Sequence, residues 1–213
     1  MSQKPLRVLL IAGSAERPSR IRSCLDLLSG ALQDLGVCAD IWDLSEQPLP
    51  LFDPRSYPDP YLSESPEVQR FALLADRADA FVLGSPVYHN SFSGVLKNAL
   101  DSLSVQQFQN KPVALISSGH NDRTGSQPCD HLRGVVKGLR TVAIPSQIIT
   151  IPSDFVRSRD CFILTNKALH ERFTRLAQEL VAYAALLRTL PSPQSAHNQE
   201  GNACRQSSLP QAR

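Results

Sequence analysis

Short, almost continuously apolar runs alternate with amphipathic stretches along most of this 213-residue chain, and that alternation narrows the possible folds more than any other feature. Residues 6–12 are nearly unbroken in hydrophobicity, as a strand covered on both faces must be. Ile21, Leu25, Leu28, Leu32 and Leu35 then recur at three- and four-residue steps, with Gly36 as a stop. The unit repeats: strands are predicted over 37–43, 80–84, 112–117 and 141–150, the last interrupted by Pro145. Helices are predicted over 66–77, 93–103, 128–139 and 163–190. Parallel strands need crossover helices, so five strands alternating with five helices argue for an α/β fold of three layers, a parallel sheet with helices on both faces. Right-handed crossovers leave few topologies, of which the order 2-1-3-4-5 suits this length. Ligands of such sheets sit beyond the carboxyl ends of the strands, beside strand 1.

Prolines mark what interrupts the pattern. Six of the 16 fall between Pro48 and Pro66, a segment that also carries Leu49, Leu51, Phe52, Tyr57 and Tyr61 and reads as an ordered excursion. Residues 190–213 combine Pro, Gln, Ser and Asn with few large apolar side chains, so the expectation is one domain over 1–189 and a disordered tail. No apolar run reaches the roughly 18–20 residues that span a bilayer, and a net charge of +2 gives no broad basic surface for nucleic acid or membrane. Five widely spaced cysteines without a Cys-x-x-Cys pair argue against a disulfide framework or zinc site, and the N-terminus lacks a secretory h-region, so a cytoplasmic protein is expected.

Three loops follow the central strands. The first, 13–20, offers the hydroxyls of Ser14 and Ser19, the N–H groups of the next helix, and Arg17 or Arg20 as a cation, a set that suits a terminal phosphate and equally a capped polar turn. In the second, Pro86 fixes the backbone at the strand end, and Tyr88, His89 and Asn90 project where a planar ring can lie or simply cover the strand. The third, 117–126, is dense in Ser, Gly and Asn. It presents backbone donors to a carbonyl or anionic ring nitrogen, or uses His120 and Arg123 to grip a second, charged ligand, or is simply a solvent-exposed turn.

Together these loops make the sequence resemble the NAD(P)H-dependent FMN reductase family of flavodoxin-like flavoproteins. The resemblance rests on Ser85-Pro86-Val87-Tyr88, four residues, then Ser93-Gly94-Val95-Leu96-Lys97-Asn98-Ala99-Leu100-Asp101, which is similar to that family's signature almost end to end, and it extends over about residues 5–188. It implies a flavodoxin-like fold, FMN as cofactor and NADPH or NADH as electron donor. It further implies that Ser14, Arg17, Ser19 and Ile21 surround the FMN phosphate, that Pro86, Val87, Tyr88 and His89 contact the ribityl chain and ring, and that Ser117, Ser118 and Gly119 meet the pyrimidine edge. Many relatives have an arginine soon after Ser14, where this chain has Ala15 and Glu16. The implied activity passes electrons from the nicotinamide through FMN to a small-molecule acceptor: free flavin, a quinone or an azo compound. The alternatives are a tailoring flavoenzyme and a flavodoxin-type electron carrier; near-neutral charge argues against the carrier. Cofactors carry this chemistry, so no obligatory catalytic side chain is named. The resemblance also implies a homodimer or homotetramer.

Overall fold

The structure, a computed structural model, describes residues 4–121 and 124–189; the expected tail at 190–213 lies outside them. Five strands, β1 (Arg7–Ala12), β2 (Cys38–Asp43), β3 (Ala80–Pro86), β4 (Val113–Ser118) and β5 (Ala143–Thr150), form one parallel sheet in the order β2-β1-β3-β4-β5. Both sheet faces are covered. Val8, Leu10 and Ala12 of β1 enter the core under α1 (Arg20–Asp34) and the final helix, α6 (Lys167–Leu187). Leu9 and Ile11, pointing the other way, pack with α2 (Pro66–Arg77), α3 (Gly94–Asp101), the single turn α4 (Val105–Phe108) and α5 (Gln127–Gly138). Period-two alternation therefore feeds two cores from one strand, each fully buried Leu or Ile contributing about 1.5–3 kcal/mol.

Three boundaries differ from expectation. The helix predicted over 163–190 starts only at Lys167, because 155–164 folds back as an antiparallel hairpin, β6 (Phe155–Arg157) and β7 (Phe162–Leu164). Asp154 fixes this junction, accepting from Ile151 N and from the Nδ2 of Asn166, the residue that caps α6. The helix predicted over 93–103 breaks at Asp101, since Ser104 and Gln107 form a capping box that starts α4 afresh. In β5 the register shifts opposite Val113 and Leu115, which lets Pro145 sit in the edge strand as a bulge. Arg133 donates to Ile144 O and Pro145 O, and Arg172 to Gln147 O, so guanidinium groups occupy that open edge.

The proline-rich excursion is ordered by caps and by side-chain ties to α2 and α3. Asp53 and Asp59 begin short turns at Pro54–Ser56 and Pro60–Leu62. Asn98 on α3 accepts from Phe52 N at 2.9 Å through Oδ1 and donates to Pro50 O at 2.8 Å through Nδ2. Tyr61 donates to Asp76 on α2. Among the described residues no helix is long and apolar enough to cross a membrane.

Candidate functional site

The loops after β1, β3 and β4 are stitched into one surface at the carboxyl edge of the sheet. Gly13 N donates to Gly84 O at 2.8 Å, and a Cβ on Gly13 would lie 2.7 Å from that oxygen and 2.8 Å from Leu96 Cβ, so only glycine permits this approach. Ser93 donates to Gly13 O at 2.5 Å while its hydroxyl accepts from Leu96 N and caps α3; its own N–H donates to Ser85 Oγ. Val87 N donates to Ser118 O, tying the second loop to the third.

Ser14 and Ser19 are both buried in the first loop. Ser19 Oγ caps α1 by accepting from Arg22 N, which leaves the N–H groups of Arg20 and Ile21 without intrahelical acceptors. No acidic residue stands in the first turn of this 15-residue helix, so its positive end is not neutralised. Ile21 itself contributes only backbone here. Its side chain is in the core, and its Cγ2 lies 2.8 Å from where a Cβ on Gly84 would be. Arg17 is exposed and turned to the outer side of the loop, its Nε donating to Ser45 Oγ at 3.1 Å and its terminal nitrogen to Ser45 O. Arg20 instead reaches inward and donates from Nε to Ser118 Oγ at 3.1 Å.

In the second loop, Tyr88 and Ser91 exchange backbone hydrogen bonds of 2.9 and 3.0 Å around His89 (φ 48°) and Asn90 (φ 62°), a turn with both central residues left-handed. Asparagine and histidine are among the residues that adopt that conformation more readily than other non-glycine residues. Ser91 Oγ lies 2.9 Å from His131 Nδ1, which fastens the turn to α5. His89 is exposed, and Tyr88 stands 40% exposed between the first and second loops. Burial and the neighbouring Glu16 carboxylate push the Tyr88 phenol up, while Ser14 and Arg20 pull it down.

In the third loop, Ser117 is fully buried and donates to Gly125 O, so its hydroxyl closes the loop rather than facing outward. Gly119 N donates to Thr150 O at 2.9 Å; a Cβ there would meet Val87 Cγ2 and Gly125 Cα at 3.2 Å. Asn121 Oδ1 accepts from Thr124. His120 is exposed, and Arg123 lies outside the described residues.

The residues expected from sequence thus divide. Ser14, Tyr88 and Ser118 converge, with Pro86, Val87 and Gly119 as framework between them, whereas Ser117 and Ile21 turn their side chains inward and Arg17 turns away. His131 carries no signal in the sequence, and Asn98 stands there only as a position of the signature; tertiary contact alone shows that one fastens the 88–91 turn and the other the excursion. Of the two arginines that the sequence offers as a cation, Arg20, one step past the cap, is the one whose side chain reaches Ser118. The donor set, hydroxyls and unneutralised N–H groups at one end and an arginine at the other, fits an elongated anionic ligand. Among the described residues no group of three or more His, Cys, Asp or Glu side chains can hold a metal. Burial pushes the Cys24 thiol up to about 12 and the Cys129 thiol to about 11, which makes both poor nucleophiles.

A family model described as NADPH-dependent FMN reductase matches residues 6–155. A protein named FMN-dependent NADPH-azoreductase from Staphylococcus saprophyticus is 35% identical over 179 residues, covering 84% of this chain and 95% of the relative. One of the same name from Staphylococcus aureus strain USA300 is 34% identical over 180 residues, with the same coverage of 84% and 95%. Among solved structures, the flavoenzyme NAD(P)H:(acceptor) oxidoreductase FerB from Paracoccus denitrificans superposes with a TM-score of 0.67 at 17% identity, over 84% of this chain and 97% of that one. A flavodoxin from the domain Archaea gives 0.58 at 9% identity, over 84% and 99%, so the fold is flavodoxin-like.

Proposed function

This chain belongs to the NADPH-dependent FMN reductase family and is an NAD(P)H-dependent oxidoreductase that uses FMN, and from that premise we propose that the three-loop edge holds FMN and serves a small aromatic acceptor of the azo or quinone type. The observation that carries the proposal is the convergence of Ser14, Tyr88, Arg20 and Ser118 from three loops onto one edge. When bound, FMN supplies the two-electron chemistry that links the nicotinamide to the acceptor.

The chain's own work is to bind and orient. Ser14, Ser19 and the free N–H groups of Arg20 and Ile21 would hold the phosphate, with Arg17 at the rim. Pro86, Val87, Tyr88 and His89 would flank the ribityl chain and ring. Their backbone is fixed by the Ser85–Ser93 contact and the 88–91 turn, so little ordering is left for binding to accomplish. Ser117 would act through the loop it closes, while Ser118, Gly119 and the backbone around them meet the pyrimidine edge. Fixed donors at that edge favour the charge that develops on reduction, because they need no reorganisation.

The azo acceptor is supported by the named activity of the two staphylococcal relatives. A groove of about 180 Å³ lined by Leu44, Pro48, Leu49, Leu51, Gly94, Val95 and Asn98 gives an apolar ring somewhere to lie. An assembly of two or four copies belongs to the same reading, supported by Leu51, Tyr57 and Leu62, which stand exposed on the excursion. So does a cytoplasmic site of action, which the free Cys24, Cys38, Cys129 and Cys161 support. Steady-state turnover with both nicotinamides against azo dyes, quinones and free flavins tests the acceptor. NADPH-dependent azo cleavage is expected, and turnover confined to free flavin would overturn that part. Sedimentation of the purified protein tests the assembly, with a monomer as the contrary result.

A further inference from the structure

Arg20 occupies the first position of α1, at the end of β1, yet its head is at the end of β4. In the sheet β3 lies between those two strands. Strands are about 4.8 Å apart, so the guanidinium sits roughly 10 Å across the edge from the loop over β1. It is half-buried, with the Phe162 ring of the hairpin 5.9 Å from its central carbon, and among the described residues it forms no ion pair. Its neighbours are committed elsewhere. Arg22 is spent on Asp26, Asp43 and Glu46, Arg17 on Ser45, and the buried Asp154 on Ile151 N and Asn166. Among the described residues only the Nε–H has an acceptor, a neutral hydroxyl, which leaves the two terminal nitrogens of Arg20 with donors to give. A cation drawn partly out of water with one neutral partner costs free energy that an arriving anion or strong acceptor would recover.

The phosphate end has its own donors in Ser14, Ser19 and the helix N-terminus, whereas Arg20 points at the far end. In FMN a five-carbon ribityl chain separates the phosphate from the ring system, a span of the same order as the distance across β3. Resting on the reading that FMN binds at this edge, we propose that the Arg20 guanidinium, held by Ser118, faces the pyrimidine edge of the bound flavin and binds the reduced, more negative form more tightly than the oxidised one. A fixed positive charge at that edge raises the midpoint potential; a cation serving the phosphate would hold both redox states equally and leave the potential where it was.

The test compares wild type with Arg20→Gln, Arg20→Lys and Ser118→Ala. It measures the dissociation constants of oxidised FMN and of riboflavin by flavin fluorescence, and the midpoint potential of the bound FMN. For Arg20→Gln the expected result is tenfold weaker binding of reduced relative to oxidised flavin, a fall of about 30 mV for a two-electron couple. FMN and riboflavin affinities should change in parallel. Arg20→Lys, which keeps the charge and the fold, should recover part of the potential, and Ser118→Ala, which frees the guanidinium, should lower it by less than Arg20→Gln. An unchanged potential in the Arg20 variants overturns the proposal; if FMN binding weakens while riboflavin binding does not, the arginine serves the phosphate instead. Failure of the wild-type protein to bind FMN would refute the underlying assignment of the site, which is a different result from wild-type binding with an unchanged potential.

Discussion

At the amino-terminal edge of the sheet, Arg7 is paired with Asp40 at 2.7 Å, and Lys111 donates to Ala75 O and Asp76 O at 2.9 and 3.2 Å, closing the end of α2. At the carboxyl-terminal edge Arg20 has one neutral hydroxyl, and the N-terminus of α1 has no acid in its first turn. Both edges bury basic groups beside helix ends. Among the described residues the first edge meets most of its donors from within the chain, with Arg7 Nε the exception, buried without a partner, whereas at the second the half-buried Arg20 keeps both terminal nitrogens for something else to meet. The difference separates structure from function more sharply than residue type does, since arginine, serine and glycine occur at both ends.

Substitutions at the two edges should therefore fail in different ways. The largest expected effect is at the carboxyl edge: Ser14→Asp sets a carboxylate where the phosphate is to lie. Two unit charges about 4 Å apart repel by ~4 kcal/mol at an effective dielectric near 20, so FMN affinity should fall about a thousandfold while riboflavin affinity changes little. Equal losses for both ligands would place the phosphate elsewhere.

At the amino edge, Lys111→Met should alter stability and leave FMN affinity intact. Burial holds the Lys111 ammonium down to about 8, from 10.5. Between those values the unfolded chain binds the proton and the folded chain does not, so this group makes stability rise with pH, by up to ~3 kcal/mol. Cys24 and Cys129, whose thiols are pushed up, act in the opposite direction at alkaline pH. Urea unfolding of wild type and variant from pH 7 to 10 isolates the lysine: the stability gap should change by that amount, and parallel curves would show that Lys111 is not titrating.

Smaller effects are expected between the edges. Asn98→Ala removes two hydrogen bonds to the excursion, a loss of about 1–2 kcal/mol that should speed proteolysis between residues 48 and 62. Lys97→Met breaks an exposed ion pair with Asp101 and should shift stability by no more than about 0.5 kcal/mol, although both residues belong to the same signature.

Sheet order and most elements were legible in the sequence because their causes are local: continuous apolar runs for buried strands, three- and four-residue steps for helices. The 155–164 hairpin was not, since two three-residue strands separated by residues 158–161 are too short to show a period. Nor was the break after Asp101, where a capping box outweighs a continuing apolar pattern. In the site, residue types identified the loops but not the direction of each side chain. Ser117 and Ser118 are adjacent, and one hydroxyl closes its loop while the other receives Arg20. Arg17 and Arg20 are three residues apart on opposite sides of a helix cap, and only their tertiary partners, Ser45 in the loop after β2 and Ser118 at the end of β4, show which way each turns.

The most direct measurement is an anaerobic titration of the FMN-loaded protein with NADPH, followed by the visible absorbance of the flavin. Loss of the oxidised flavin band at one equivalent of NADPH per bound FMN is expected if the carboxyl edge brings nicotinamide and flavin together. Flavin that binds yet stays oxidised with excess NADPH would contradict it and leave this edge a flavin-binding surface without the reductase reaction.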